Sequence, residues 1–426
     1  MEIRNIKVVN SETGSRSLNP PSTLKRVNNI LPKVGIEKIE LIDLKYTDNI
    51  PVFRVNESER KWYCHRALYY WSKPPSPLNK PPREAYGKGI TIHQSRASAI
   101  MEAIERYCAQ IFPHSRIIHA DYDEVKEYAI PPSKFSFPKF IPPKCWYCME
   151  REFRCFSNLS NVCYEWTWGF SLIRRKQVLV PSPLVYYPYM SKNGYSFIFN
   201  DTGGLASGNT LEEAILSGLA EVIERDALYN TFNTESIDNI KLLETNDLDN
   251  KYLTEFFNNI PQDRVFIFLI ENKVKINIPT IAAFICYVAG KTGFIFGGSG
   301  THLNLEVALL RAITEMEQQK VRKKILIEFN KNDLLSSSKT LINNTVSTMQ
   351  VHSRSTEDLK MDIDLYLEEL SRSNMDVIVV DLTHPNIGIP TVRIIVPELI
   401  SYSGIPIRQS FLINIMRAEE KLYRLI

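Results

Sequence analysis

The sequence predicts a mixed fold, α/β or α+β, in which strands and helices pack around a large core. Its 426 residues, 44% of them apolar, suffice for roughly two or three domains or for one elaborated domain. From Tyr86 onward, strand-like apolar runs alternate with segments of helical periodicity. Charges are nearly balanced, with 51 Lys and Arg against 48 Asp and Glu, as in ordinary globular proteins. The pattern leaves open whether the strands run parallel.

The chain is predicted to divide into a small N-terminal segment, residues 1–80, and a main domain, residues 81–426. Five prolines in Trp71–Glu84 predict an extended connector at this boundary, because proline fixes φ and removes a hydrogen-bond donor. The predicted elements are a helix over Ser22–Leu31 and strands over Ile39–Leu44, Val52–Val55, Val265–Ile270, Ile281–Val288, Gly293–Phe296, Val377–Val380 and Val392–Val396.

Composition argues against several classes of protein. A formal charge of +3 gives no support to nucleic-acid binding through a basic surface. No run reaches the roughly 18 apolar residues of a membrane helix, since Asn277 and Pro279 interrupt the best candidate, Ile276–Ala289. The N-terminus lacks the apolar region of a signal peptide, so a cytoplasmic location is expected. Seven cysteines, an odd number, fit reduced thiols better than a disulfide framework.

One sequence pattern occurs twice and, more weakly, a third time. Ser98–Arg106 and Ser217–Asp226 share the order S-x3-E-x2-E-R, and Arg311–Gln318 offers R-x3-E-x2-Q. The copies are too far apart and too unevenly spaced for a solenoid repeat. They predict three helices of one domain that face a common site.

The repeated residues share one face of each predicted helix. Ser98, Glu102 and Glu105 lie together on the first helix, opposite an apolar stripe. The corresponding face of the second helix carries Glu213, Ser217, Glu221 and Glu224. A solvated acidic face is the alternative, and Glu213 could instead close a capping box with Thr210. A solvated face, however, has no reason to repeat the same order of Ser, Glu, Glu and Arg.

If these faces converge, at least four carboxylates share one cavity and repel one another unless cations neutralise them. All-oxygen ligands favour Mg²⁺ or Ca²⁺, and Mg²⁺ commonly completes its shell with water and substrate phosphates. Two glycine-containing loops, Gly87–Gly89 and Gly203–Thr210, could bring Lys88 and helix N-terminal amides to a phosphate. Neither is a Walker A or dinucleotide-binding motif. The pattern therefore predicts a triphosphate site that depends on Mg²⁺.

The three segments resemble the nucleotide-binding segments of the YcaO superfamily. They read GKGITIHQSRASAIMEAIER, GLASGNTLEEAILSGLAEVIERDAL and GTHLNLEVALLRAITEMEQ, and the resemblance extends from about Gly87 to Leu399. It implies a YcaO-type domain in residues 81–426 that binds ATP and, with two ions expected, Mg²⁺. The glutamates implied to hold the metal are Glu102, Glu105, Glu221, Glu224 and Glu315. The implied nucleotide contacts are Lys88, Ser98, Arg106, Asn209, Glu213, Arg225, Arg311 and Gln318.

The resemblance also implies a reaction. A nucleophile adds to a peptide amide carbon, ATP phosphorylates the amide oxygen, and phosphate leaves. A Cys or Ser side chain then yields an azoline, an amine yields an amidine, and sulfide yields a thioamide. No protein nucleophile is required, and the sequence assigns no catalytic residue.

Features at the two ends of the chain suggest the thioamide branch. The chain ends in EEKLYRLI instead of the proline-rich tail of azoline-forming members. Its first 60 residues resemble stand-alone members that act with a TfuA-like partner and thioamidate a glycine in the alpha subunit of methyl-coenzyme M reductase. A homodimer is the family expectation. The alternatives are an azoline- or amidine-forming cyclodehydratase and a non-enzymatic regulator that binds Mg²⁺ and nucleotide.

Other candidate sites are weaker. Four cysteines fall in one stretch: Cys145, Cys148, Cys155 and Cys163. They could bind zinc or could include small buried residues. His302 precedes the third motif and could contact nucleotide or be structural. The adjacent pair Cys64 and His65 has poor geometry for a nucleophile and its base. The aromatic run Tyr186–Met190 is expected to pack in the core or on the surface.

Overall fold

The computed structural model describes a large part of the chain. The described residues are 1–9, 14–42, 50–57, 84–112, 115–137, 164–189, 201–235, 237–245, 248–260, 264–272, 276–322, 325–330, 345–401 and 407–417. Most of the predicted proline-rich connector, the pair Cys64 and His65, and the four clustered cysteines lie outside these residues.

Helices and strands are intermixed along the chain, as predicted. The helices are α1 (Pro20–Val27), α2 (Ile92–Cys108), α3 (Tyr122–Val125), α4 (Leu211–Thr234), α5 (Lys251–Asn259), α6 (Leu305–Val321), α7 (Leu359–Arg372) and α8 (Gln409–Arg417). The strands are β1 (Ile36–Leu41), β2 (Val52–Glu57), β3 (Glu84–Lys88), β4 (Ile118–Ala120), β5 (Tyr164–Ser171), β6 (Lys176–Pro181), β7 (Leu205–Ser207), β8 (Ile240–Glu244), β9 (Val265–Ile270), β10 (Thr280–Ala289), β11 (Thr292–Thr301), β12 (Ile327–Asn330), β13 (Thr345–Ser347), β14 (Ile378–Asp381) and β15 (Thr391–Ile395). In the described ranges, none of the helices has the length and apolarity needed to cross a bilayer.

The first predicted helix is found with shifted ends. It begins at Pro20, since the Asn19 side chain accepts a hydrogen bond from the Ser22 amide and proline is favoured in the first turn. The predicted C-terminal part, beyond Val27, is a 3₁₀ helix that spans Asn28–Val34. Pro32 lies inside this turn and cannot donate the hydrogen bond that would extend an α-helix.

The strands form three sheets that are mostly antiparallel. Sheet I has the order β1-β2-β3, sheet II the order β12-β11-β10-β9-β8-β13, and sheet III the order β4-β5-β14-β15-β7 with β6 paired to β5. The parallel pair in these sheets is β13 with β8. This topology answers the question that the sequence left open and places the fold in the α+β class. Sheet I joins strands from both sides of residue 80, where the domain boundary was predicted.

Helix α4 lies between sheets II and III and is buried on almost every side. Toward sheet II, the ring of Phe232 meets that of Phe284 edge-on at a centroid distance of 6.0 Å. Toward sheet III, Leu219 packs in one core with Ile394 of β15. A helix in such a position has little surface for solvated charges. The alternative of a solvated acidic face is therefore wrong for this helix.

Helix α6 packs with its backbone directly on β11. A Cβ atom at Gly298 would lie 2.2 Å from the amide nitrogen of Met316, and one at Gly300 would lie 2.2 Å from the carbonyl oxygen of Ala308. Glycine is required at both positions because the two backbones approach so closely. The predicted strand Gly293–Phe296 therefore continues through a glycine-rich segment to Thr301.

Phe232→Ala tests the packing of α4 between the sheets. Phe232 is 1% exposed, and its truncation is expected to lower the free energy of unfolding by about 3–5 kcal/mol through lost burial and the resulting cavity. Met361→Ala, on α7 at 52% exposure, is the control and is expected to change it by about 0.5 kcal/mol or less. Urea unfolding measures both. Equal, small losses would contradict the buried position of α4.

Candidate active site

The three motif helices meet at one cavity. It has a volume of about 340 Å³ and is lined by α2, α4 and α6, by β3 and β7, and by residues of the N-terminal segment. The predicted site residues that line it are Lys88, Ser98, Glu102, Glu105, Asn209, Glu213, Glu221, Glu224, Arg225, Arg311, Glu315 and Gln318. Arg106 does not line the cavity. It donates to the carbonyl oxygen of Glu84 over 2.7 Å and forms an ion pair with Glu102.

The cavity concentrates carboxylates that repel one another. Burial, followed by the nearby charges of Glu221 and Glu102, raises the pKa of Glu105 well above its ordinary value. Burial also raises the pKa of Glu221, and Glu224 adds to this rise against the opposing effect of Arg225. Without another cation, protonation of these carboxylates is therefore favoured, because it removes their mutual repulsion.

Within the helices, an arginine follows a glutamate by four residues and neutralises it. Glu102 pairs with Arg106, and Glu221 lies 3.3 Å from Arg225. Residues four apart are neighbours on a helix surface, so the repeated E-x3-R order is a local device for charge compensation. Glu221 also accepts a hydrogen bond from the Gly204 amide over 3.1 Å.

Glu315 on α6 obtains its cation from another element. Lys88 of β3 donates to its Oε2 atom over 2.8 Å. Burial alone would raise the pKa of Glu315, but Lys88, Arg225 and Arg311 outweigh it and lower that pKa to about 2. Lys88 thus faces the acidic cavity and is held there by a carboxylate, while its contact with a phosphate stays a prediction.

The donor set fits a hard cation, although several of its carboxylates are engaged in ion pairs or hydrogen bonds. In the described part of the chain, no three His, Cys, Asp or Glu side chains converge closely enough to hold a metal ion. Glu224, for example, accepts from the Ser299 hydroxyl over 2.7 Å. Several carboxylates nevertheless line the cavity and, among the residues that the structure describes, neither His nor Cys does, so the lining offers the oxygen ligands that Mg²⁺ prefers. These residues could hold Mg²⁺ once their basic partners move aside.

Two atoms of the cavity wall lack hydrogen-bond partners within the described residues. They are Oδ1 of Asn209, an acceptor, and Nε of Arg225, a donor. Asn209 is only 4% exposed, and buried polar atoms are rarely left unsatisfied. A nucleotide carries both kinds of partner, exocyclic N–H donors and phosphate acceptors.

The N-terminal segment contributes site residues that the sequence did not reveal. Arg16 lines the cavity and donates to Glu213 and Ser217, over 3.2 Å in each case. The amide and hydroxyl of Ser17 both donate to Glu213, over 3.1 and 2.8 Å. A single arginine in a segment without a motif carries no recognisable signal, and only its tertiary position identifies it.

The capping-box alternative for Glu213 is half correct. The Thr210 hydroxyl accepts from the Glu213 amide over 3.1 Å, which caps α4. The Glu213 carboxylate, however, turns away from Thr210 toward Ser17, Arg16 and the amide group of Asn209. Its side chain therefore belongs to the cavity wall.

His302 is a buried structural residue and does not line the cavity. Its Nδ1 atom accepts from the Asn304 amide over 3.0 Å, and its Nε2 atom lies 3.3 Å from the Ser15 hydroxyl. Burial, with smaller effects of Arg311 and Arg16, lowers its pKa to about 3. The predicted packing role of the aromatic run holds for Tyr186 and Tyr189, whose side chains are buried in the core.

Two proteins resemble this chain over most of their length. An uncharacterized protein of Methanothermobacter thermautotrophicus is 29% identical over 414 residues, which cover 92% of this chain and 97% of that protein. An uncharacterized protein encoded in the tfuA 3′ region of Rhizobium leguminosarum bv. trifolii is 23% identical and covers 91% of this chain and 89% of that protein.

Solved structures share the fold. YcaO from Methanopyrus kandleri, bound with AMPPCP and Mg²⁺, superposes with a TM-score of 0.66 at 23% identity, over 92% of this chain and 94% of that one. A heterocyclase in complex with substrate and cofactor gives a TM-score of 0.75 at 21% identity, over 94% of this chain. The present chain spans 55% of the heterocyclase.

A family model for YcaO cyclodehydratases, described as ATP- and Mg²⁺-binding, matches residues 86–400. The match includes the three motif helices and the part of the cavity wall that they form. ATP and Mg²⁺, the cofactors predicted from the sequence, are the cofactors of this family. The chain is therefore a member of the YcaO family of ATP-dependent peptide-modifying enzymes.

Proposed function

We propose that this protein uses ATP and Mg²⁺ to activate a peptide-backbone amide by O-phosphorylation and that sulfide is the nucleophile, so that a thioamide forms. The observation that carries the proposal is the convergence on one cavity of the five glutamates proposed as metal ligands, of Lys88 and of the motif arginines Arg225 and Arg311. A glycine in the alpha subunit of methyl-coenzyme M reductase is the proposed substrate. This finer assignment rests on the resemblance of the N-terminal residues to stand-alone members.

The residues have distinct proposed roles. The ions would be held by the carboxylates of Glu102, Glu105, Glu221, Glu224 and Glu315. Bound Mg²⁺ would neutralise phosphate charge and orient the triphosphate. Lys88 and Arg225, now paired with Glu315 and Glu221, would then be available to phosphate oxygens. Catalysis would consist of positioning and charge stabilisation, for which fixed cations in a water-poor cavity are effective.

The remaining predicted contacts complete the proposed nucleotide site. Ser98, Arg311 and Gln318 line the cavity, and Gln318 donates to the carbonyl oxygen of Tyr86 over 2.7 Å, which ties α6 to β3. Arg106 would act indirectly, because it holds Glu102 and does not reach the cavity itself. The AMPPCP and Mg²⁺ bound to the Methanopyrus kandleri protein support this use of the cavity.

The proposed partners follow from the relatives. The Rhizobium relative is encoded beside tfuA and aligns over 89% of its length, which supports a TfuA-like partner, with a sulfide donor as the alternative. We further propose a cytoplasmic homodimer. An azoline- or amidine-forming cyclodehydratase is a second candidate function, and the structural similarity to a substrate-bound heterocyclase favours it. The third candidate is a regulator that binds Mg²⁺ and nucleotide without chemistry.

Glu102→Gln and Glu221→Gln test the metal-ligand assignment. Each substitution keeps the side-chain size but removes an anionic oxygen, so both are expected to abolish peptide-dependent ADP formation. Glu368→Gln, on the exposed face of α7, is the control and is expected to retain wild-type turnover. Sustained ADP formation by either cavity variant would refute the assignment.

The same Glu221 variant makes a prediction about stability. Because the pKa of Glu221 is raised in the folded state, ionisation of this group disfavours folding, and stability is lost as the pH rises through the raised pKa. Without Mg²⁺ at neutral pH, Glu221→Gln is therefore expected to unfold at the wild-type temperature or above it. Differential scanning calorimetry measures this, and a clearly lower melting temperature would contradict the electrostatic account.

A mass measurement separates the candidate functions. The protein is incubated with ATP, Mg²⁺, sulfide and a glycine-containing peptide of the proposed substrate. Thioamide formation is expected, with a gain of about 16 Da from exchange of oxygen for sulfur. A loss of about 18 Da would instead indicate cyclodehydration. Nucleotide binding with neither a mass change nor ATP consumption would favour the regulator.

A further inference from the structure

A buried arginine lies behind the acidic wall of the cavity. Arg393 on β15 is 4% exposed and is absent from the cavity lining. Its guanidinium donates to the carbonyl oxygen of Asp201 over 2.9 Å and lies 3.5 Å from the Asp201 carboxylate. The carboxylates whose charges act on it are those of Asp201, Glu221 and Glu105. The guanidinium thus contacts Asp201, and its charge also acts on two proposed metal ligands, Glu221 and Glu105.

Hydrogen bonds connect this arginine to Glu221. The Asp201 carboxylate accepts from the Gly203 amide over 2.9 Å. The next amide, that of Gly204, donates to Oε2 of Glu221 over 3.1 Å. Arg393 thus pairs with Asp201, the Asp201 carboxylate binds the turn at Gly203, and the amide of Gly204 in the same turn binds the Glu221 carboxylate. This path contains no flexible side chain between Asp201 and Glu221.

The turn at Gly203 and Gly204 has no room to shift. A Cβ atom at Gly203 would lie 1.8 Å from the carbonyl oxygen of Ser401, and one at Gly204 would lie 2.3 Å from that of Ile394. Gly204 also adopts a φ of +80°, which favours glycine. Its carbonyl oxygen accepts from the Ile394 amide over 2.8 Å. Neighbouring backbone thus fixes two sides of the turn, and the Arg393–Asp201 pair fixes its start.

We propose that Arg393 is a positioning residue for the Mg²⁺–nucleotide site, which acts through Asp201 and the Gly204 amide to orient the Glu221 carboxylate. Its positive charge also offsets part of the acidic charge of the wall. The inference rests on the proposed function of the cavity. Groups that orient metal ligands typically change metal affinity or activity by about 10- to 100-fold when they are removed.

The test uses the full-length protein and Mg²⁺–AMPPCP as the probe. Isothermal titration calorimetry of Arg393→Gln is expected to show a Kd that is about 10- to 100-fold higher than that of the wild type. Arg393→Lys keeps the positive charge, but its single amine cannot contact the carbonyl oxygen and the carboxylate of Asp201 as the forked guanidinium does. An intermediate Kd is therefore expected. Arg354→Gln is the control, because Arg354 forms a comparable pair with Glu369, 2.6 Å apart, outside the cavity lining.

Melting temperatures without Mg²⁺ separate positioning from a purely structural role. If Arg393→Gln and Arg354→Gln lose similar stability and both bind Mg²⁺–AMPPCP like the wild type, Arg393 is only structural and the inference fails. If Arg393→Gln does not fold, Asp201→Ala replaces it, with the same expected rise in Kd and the same refuting result. Failure of the wild type to bind Mg²⁺–AMPPCP would instead overturn the proposed function and, with it, this inference.

Discussion

The compensation of buried negative charge is the interaction on which this site depends. Helices α2, α4 and α6 direct their glutamates into one cavity, where burial and mutual repulsion raise the pKa values of Glu105 and Glu221. The arrangement is tolerable because basic side chains and backbone amides surround these carboxylates. Arg106, Arg225 and Lys88 provide the charges nearest to them. A cavity of this composition attracts cations, which suits a family that binds ATP and Mg²⁺.

Packing around the cavity fixes the helices that carry these glutamates. Helix α4 is enclosed by sheets II and III, so the cavity is the main place where its acidic residues can meet polar partners. Glycines of β11 let α6 lie directly on the strand and bring Glu315 within reach of Lys88. Close backbone contact limits the movement of these elements, because a closely packed interior has few voids and is hard to compress. The glutamates therefore sit on rigid supports.

Much of the site could be predicted from the sequence, because its residues recur in order on helical faces. The repeated Ser, Glu, Glu and Arg pattern indicated both the helices and their common destination. Arg16 could not be found in this way, since it approaches Glu213 from a segment nearly 200 residues away that contains no motif. Arg106 shows a different limit: the resemblance implied that it contacts the nucleotide, but its side chain pairs with Glu102 and does not line the cavity.

The sequence by itself determined that helices and strands are mixed, the approximate positions of several strands and of the three motif helices, and the residue types that meet at the site. Local periodicity and capping preferences act within a few residues, and for that reason they can be recognised without tertiary information. Only the tertiary structure decided that the sheets are mainly antiparallel, that α4 is buried between two of them, and that Arg393 lies behind Glu221. These features depend on contacts between distant segments, and a carboxylate on a helix face is identical in sequence whether it meets water or a buried cation.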